Sequence, residues 1–283
     1  MEKEFDREKF KEKKRAELEA LYDAVNEEML MIAEDPEKFS AYLRVQARFD
    51  RYTVTNAILL LHQFPDAQKL KTFEGWKWDG AFVGRGEKSI SILEPSSYMK
   101  EDGSTGRGFR VKKLFDISQT DLRQIPSTLF YGVSSRSLLR ALLEASPVET
   151  EAVDTLDHGK DAVYDQEKQK IYIRRMLELD DFFRAAAVSI AEAQLAEQGV
   201  SCGQEELESK AKATAFMLCV KYGIDPGSLG AKMTGADAQM EIKEIKAELS
   251  EIRKTFIGIA DRADESIRVQ RKAGRERGHH EER

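Results

Sequence analysis

Along this 283-residue chain the spacing of apolar positions changes period twice, and the changes divide it. From residue 3 to 33, Phe5, Phe10, Leu18, Leu21, Val25, Met29 and Ile32 recur at helical intervals. They predict one long charged helix that Asp35-Pro36 ends. Further helices are predicted from about Pro36 to Phe49 and from Thr53 to Gln63, with a short one over Thr72–Asp79 that carries Trp76 and Trp78. The period then drops to two. Ser89–Glu94 and Phe109–Phe115 alternate as strands about the turn cluster Glu101–Gly106. They predict an antiparallel hairpin with one apolar face and with Arg110 and Lys112 on the other.

Helical spacing returns after a linker at 120–134. Helices are predicted over Ser135–Ala145, Leu179–Gln198 and Glu205–Tyr222, the last capped by Gly223. Short strands at Ala162–Tyr164 and Lys170–Ile173 flank an Asp165–Gln169 turn. A charged helix over Gln239–Ile267 has the stripe Ile242, Ile245, Leu249, Ile252, Phe256 and Ile259. Residues 268–283 have almost no apolar side chain after Val269 and are expected to be disordered. The fold class expected is α+β: N-terminal helices with a small antiparallel hairpin or sheet, then a mainly helical second domain and a long C-terminal helix.

Composition narrows the function classes. Hydrophobic residues make up 41% and charged residues 34%, enough for a packed core inside a strongly solvated surface. No apolar run approaches eighteen residues, the N-terminus has no secretory pattern, and only Cys202 and Cys219 are present. A reducing, cytoplasmic setting without a membrane is the expectation. The net charge of −6 argues against a polyanion partner until it is divided. Residues 41–120 hold thirteen Lys and Arg against nine Asp and Glu, a net +4, which leaves −10 for the rest. Any polyanion site therefore belongs to the first half.

Two groups there suit single-stranded nucleic acid, in which bases stack on rings and cations meet phosphates. The first is Tyr42, Arg44, Arg48, Phe49, Arg51, Tyr52 and Asn56. The second is Trp76 and Trp78 with Arg85 and Lys88 of Gly84-Arg85-Gly86-Glu87-Lys88, where glycines allow close approach of a phosphate. Glu87 separates Gly86 from Lys88, so this is not a nucleotide-triphosphate loop. The hairpin adds Arg110 and Lys112. The same residues also fit a structural role, with Tyr42, Phe49 and Tyr52 in a helix core, the arginines on a solvated face and one tryptophan plugging the interior.

The series Arg51-Tyr52-x-x-x-Asn56-x-x-Leu59-Leu60, Pro65-Asp66-Ala67, Phe73-x-x-Trp76, Gly84-x-Gly86-Glu87-Lys88-x-Ile90-x-Ile92-x-x-Pro95 and Phe115-Asp116-Ile117-Ser118-Gln119-Thr120 resembles the N-terminal domain of ArdC-type antirestriction proteins of plasmids and conjugative elements. The resemblance implies single-stranded DNA binding, and protection of incoming DNA on a mobile element. At Phe82-Val83-Gly84-Arg85 the family more often has a further basic residue.

The resemblance also implies a zinc-peptidase domain in second place, with a His-Glu-x-x-His helix and a glutamate ligand on a later helix. Phe183–Leu195 and Glu208–Asp225 resemble those two helices, but Val188, Ser189 and Glu192 stand where the first histidine, the glutamate and the second histidine would lie. Lys212 stands for the glutamate ligand, and His62, His158, His279 and His280 all lie off these helices. The expectation is a degenerate, non-enzymatic domain without metal or cofactor, with Glu192 and Lys212 forming an ion pair in the old site. The divisions expected are a charged helix (1–36), the DNA-binding domain (37–125), a linker and helix (126–148), the peptidase-like domain (149–230), the amphipathic helix (237–267) and a tail (268–283). Two other functions stay open: a residual zinc peptidase, and an interaction protein whose C-terminal stripe pairs with another helix, in a second copy or in another protein.

Overall fold

The structure is a computed structural model that describes residues 7–99, 103–122, 133–200, 202–227, 229–233 and 240–281. Side chains of residues 7, 158 and 274–281 are not described. The predicted turn at Glu101-Asp102 and the Pro126 linker lie outside these residues. The elements run α1 (Arg7–Glu34), α2 (Pro36–Arg48), α3 (Val54–Gln63), β1 (Leu70–Lys71), α4 (Phe73–Trp78), β2 (Ile90–Met99), β3 (Thr105–Asp116), α5 (Ser135–Glu144), β4 (Glu149–Val153), β5 (Ala162–Asp165), β6 (Lys170–Arg174), α6 (Leu179–Glu197), α7 (Gln204–Tyr222) and α8 (Ile242–Glu281). The α+β class expected from the sequence is the class observed.

Local chemistry accounts for most of these boundaries. The side chains of Asp35, Thr53, Thr72 and Ser134 each accept a bond from the first-turn backbone of α2, α3, α4 and α5. Gly223 ends α7 at φ 73°, a left-handed conformation that glycine adopts without strain.

The chain divides into two compact units. The first comprises Met1–Met31 and Arg51–Pro126, and its sheet has the order β1-β3-β2, antiparallel throughout. Helix α3 packs on β2, and two polar side chains, buried Asn56 and half-buried Gln63, join them. Asn56 accepts from the Leu93 amide at 2.8 Å and donates to the Leu93 carbonyl at 2.9 Å. Gln63 does the same for Ser91 at 2.9 Å in both directions. A smaller cluster gathers Trp76, Ala81 and Ile117, with Val83 and Phe115 against it.

The second unit comprises Ile32–Asp50 and Ser127–Arg283. Its sheet has the order β4-β6-β5, with β4 parallel and β5 antiparallel to β6. Helix α6 lies on that sheet and against α7, and α8 packs on α5, α6 and α7. Ile245, Leu249, Ile252, Phe256 and Ile259 are all at most 1% exposed. The stripe expected to seek a partner helix is thus consumed inside its own unit. Residues 268–281, expected to be disordered, continue α8. Arg, Glu, Lys and Ala are good helix formers, and an end turn can extend a helix already anchored by packing. No described helix is long and apolar enough to cross a membrane.

Candidate nucleic-acid interface

The first unit holds its Gly-rich loop with the residues that read as a motif. Asp116 is fully buried at the end of β3. Its Oδ1 accepts from the amides of Gln68 (2.7 Å) and Lys69 (2.9 Å), and its Oδ2 from the amide (2.9 Å) and hydroxyl (2.7 Å) of Ser118. Gln119 returns a bond to the Asp116 amide, then donates to Glu87 and to the Lys88 carbonyl, each at 2.9 Å. The backbone completes the fastening: Gly84 donates to Gln119, Asp121 donates to Phe82, and the Phe82 amide donates to the Asp121 carboxylate. Gly86 takes φ 88°, which a side chain would resist. The result is a loop fixed from beneath with Arg85 and Lys88 exposed.

Around the loop the rings divide. Trp76 is fully buried, its Nε1 donates to the Phe115 carbonyl at 2.8 Å, and the ammonium groups of Lys69 and Lys71 lie over its ring at 5.8 and 5.7 Å. Trp78, two positions on, is 89% exposed. Phe73, Phe82, Tyr98 and Phe109 are also exposed. None of these four stood among the sequence candidates. The alternation of Gly106 and Gly108 within a strand was the available signal for Tyr98, because glycine inside a strand marks a close approach.

Several expected contacts are corrected. Tyr42 is fully buried, with its hydroxyl on Gln46 Oε1 at 3.1 Å, and burial pushes its phenol far up. It belongs with Arg44 and Arg48 to the second unit, where α2 packs on α7 and Arg44 stacks over Phe216 at 5.0 Å. Asn56 is occupied by the β2 backbone, and Trp76 is core. None of Tyr42, Asn56 and Trp76 can offer a surface to DNA, because each is spent on packing. Arg51 is exposed and Tyr52 half-buried, both in the first unit.

The hairpin faces also differ from expectation. Cross-strand pairs share a face, so Lys112 lies with Ile92 and Arg110 with Glu94 on the same face as Ile90, Leu114 and Tyr98. Glu94 accepts from Arg110 at 2.6 Å and from Lys112 at 2.6 Å. That face is apolar at its base and charged beyond.

The second unit has a cleft of about 380 Å³ between β5 and α6, lined by Lys160, Tyr164, Arg184, Val188, Ser189 and Glu192 among others. Val188, Ser189 and Glu192 thus face one space. Burial pushes the Glu192 carboxyl up to about 7; neighbouring Glu208 adds to this, while Lys160 and Lys212 oppose it. The expected Glu192–Lys212 pair is not formed: Lys212 bonds Glu208 at 2.6 Å, one helical turn away. Among the described residues no group of three or more His, Cys, Asp or Glu side chains could hold a metal ion. Cys202 and Cys219 are free thiols, and burial pushes Cys219 up to about 12.

Fold and site together define a two-unit α+β protein whose first unit presents a fastened Gly-rich loop and an exposed hairpin. Residues 16–127 match the family described as the N-terminal domain of anti-restriction factor ArdC, and over that stretch the chain is similar to it. The uncharacterized protein pXO2-81 of Bacillus anthracis is 25% identical over an alignment covering 95% of this chain. The chain spans 55% of that relative's length. The metal-free crystal structure of antirestriction ArdC from the R388 plasmid superposes with a TM-score of 0.51 at 16% identity, over 75% of this chain and 85% of that one. It shares the fold. The Mn(II)-bound structure of the same protein gives 0.45 at 17% identity, over 78% and 97%.

Proposed function

We propose that this chain binds single-stranded DNA through its first unit and serves a mobile element in an antirestriction role, by protecting incoming DNA. The observation that carries the reading is the fastened loop: Arg85 and Lys88 stand exposed on a backbone held by Gln119, and Trp78 is almost wholly exposed on the adjoining α4. A fixed loop presents its cations without an ordering cost at binding. An exposed indole is a surface on which any base can stack. Arg51, Tyr52, Arg110 and Lys112 extend the candidate surface. The match to the ArdC N-terminal domain and the plasmid origin of the R388 protein support the biological setting.

The test is a fluorescence-anisotropy titration of the full chain with oligo-dT and with duplex, at two salt concentrations. Oligo-dT should bind more tightly than duplex, with an affinity that falls as salt rises. Trp78→Ala should weaken binding by about tenfold, the scale of one lost stack. Lys88→Ala should weaken it less and flatten the salt slope by about one unit. Equal affinity for duplex, or no salt dependence, would refute the reading.

A further inference from the structure

The outer half of the β2–β3 hairpin, Pro95–Met99 against Thr105–Phe109, extends beyond the two-residue pairing of β1, and Tyr98, Met99 and Phe109 are exposed there. Tyr98 pairs across the strands with Gly106, on the face that also carries Gly108, Arg110 and Lys112. A Cβ on Gly106 would come within 2.5 Å of the Tyr98 ring, and one on Gly108 within 3.4 Å. The ring therefore lies across two glycines. No other residue type at position 106 leaves it that bed. Gly106 is buried beneath it, while Tyr98 itself is 55% exposed. Among the described residues the Tyr98 hydroxyl has no hydrogen-bond partner, and the ring has no aromatic or cationic neighbour.

Two glycines inside one strand weaken it, since each loses more chain entropy than other residues and packs nothing. A ring laid over cross-strand glycines shields and steadies the strand, which is the structural use of Tyr98. A flat ring with one side on backbone and the other on solvent is, in addition, a surface of the size and shape of a base. On the same face Arg110 lies four residues along β3 from Gly106, roughly 13 Å at the rise of a strand, and Lys112 lies two further. Glu94 holds both cations in place and leaves the trio at one net positive charge.

We propose that Tyr98 is a stacking platform for an unpaired nucleobase, with Arg110 and Lys112 receiving backbone phosphates further along the same strand, to one side of the ring. This rests on the proposed binding of single-stranded DNA and adds a second contact region, on the hairpin, to the loop around Lys88. Stacking on a ring does not distinguish bases by their edges, so the contact is sequence-tolerant and closed to a base already stacked within duplex.

The experiment compares the wild-type full chain with Tyr98→Leu and Tyr98→Phe, against oligo-dT and against an abasic sugar–phosphate oligomer of the same length. Leucine keeps an apolar cover over the glycines but removes the π face. Tyr98→Leu should lose about tenfold in affinity for oligo-dT and nothing for the abasic oligomer, and Tyr98→Phe should match wild type on both. Equal losses on both oligomers would show that Tyr98 only supports the hairpin, and this overturns the platform. So does an unchanged dT affinity in Tyr98→Leu, with single-strand binding itself left standing. Failure of the wild-type chain to bind oligo-dT overturns both.

Discussion

Asp116→Ala will destabilise the first unit by about 4 kcal/mol and abolish the proposed DNA binding. The carboxylate is fully buried and accepts four hydrogen bonds, three of them from the backbone amides of Gln68, Lys69 and Ser118. Stranding buried donors costs about 1–3 kcal/mol each, with partial recovery when the chain relaxes. Asp116→Asn is a sharper probe. Its carbonyl can still serve the Gln68 and Lys69 amides, but its NH2 then meets the Ser118 amide, donor against donor. We expect it to fall between wild type and alanine. Both tryptophans lie in the first unit, and Trp76 is fully buried, so intrinsic fluorescence follows that unit through a urea titration. An alanine variant within about 0.5 kcal/mol of wild type would remove Asp116 from its fastening role.

Glu192→Gln will stabilise the second unit at alkaline pH by about 2–3 kcal/mol and leave it nearly unchanged at acid pH. The side chain is mostly buried and its pKa is raised from 4.5 to about 7. A carboxyl whose folded pKa exceeds its unfolded value holds its proton more tightly in the native state. Native stability is therefore greatest below about pH 4.5 and declines as pH rises through 7, where the buried group must ionise. Each tenfold gain in proton affinity on folding is worth about 1.4 kcal/mol, and the figure above allows for partial solvation and for the opposing Lys160 and Lys212. Far-UV circular dichroism at pH 5 and pH 8.5 reads it, because most of the described helical residues, those of α2 and α5–α8, lie in this unit. Parallel pH slopes for the variant and wild type would dismiss the account. Lys212→Ala is the contrast: its pair with Glu208 is 39% and 50% exposed, and its loss should change stability by less than about 0.5 kcal/mol.

Helices were legible wherever an apolar stripe met a polar cap, as in α3 between Thr53 and Phe64 or α7 ending at Gly223. Strands were legible only where they alternate. Glu149–Val153 has no apolar periodicity and was missed, because it becomes β4 through parallel pairing with β6 and through Lys170 reaching Glu149 and Glu151. The outer half of β2 was hidden by Pro95-Ser96-Ser97, a run that reads as a turn, but among the described residues β2 is an edge strand, where proline obstructs no ladder. For the candidate site, residue type was readable and exposure was not. Trp76 and Trp78 look alike in the sequence, yet a spacing of two on a short helix sends them in different directions. Tyr42 looked like a stacking ring because a sequence cannot show that α2 lies on α7. The Asp116–Thr120 string lies within the stretch that matches the ArdC N-terminal family, and in the structure it ties the loop down.

That tie has a further consequence for how the first unit is assembled. Strand β3 pairs with β2 along its length and with β1 at its end, where Asp116 meets Gln68 and Lys69. A hairpin closed one residue out of step would turn that carboxylate to the opposite side of the sheet and leave the Arg85–Lys88 segment untethered. The loop thus depends on the sheet's register: a chain that mispairs its strands forfeits the Asp116 anchor.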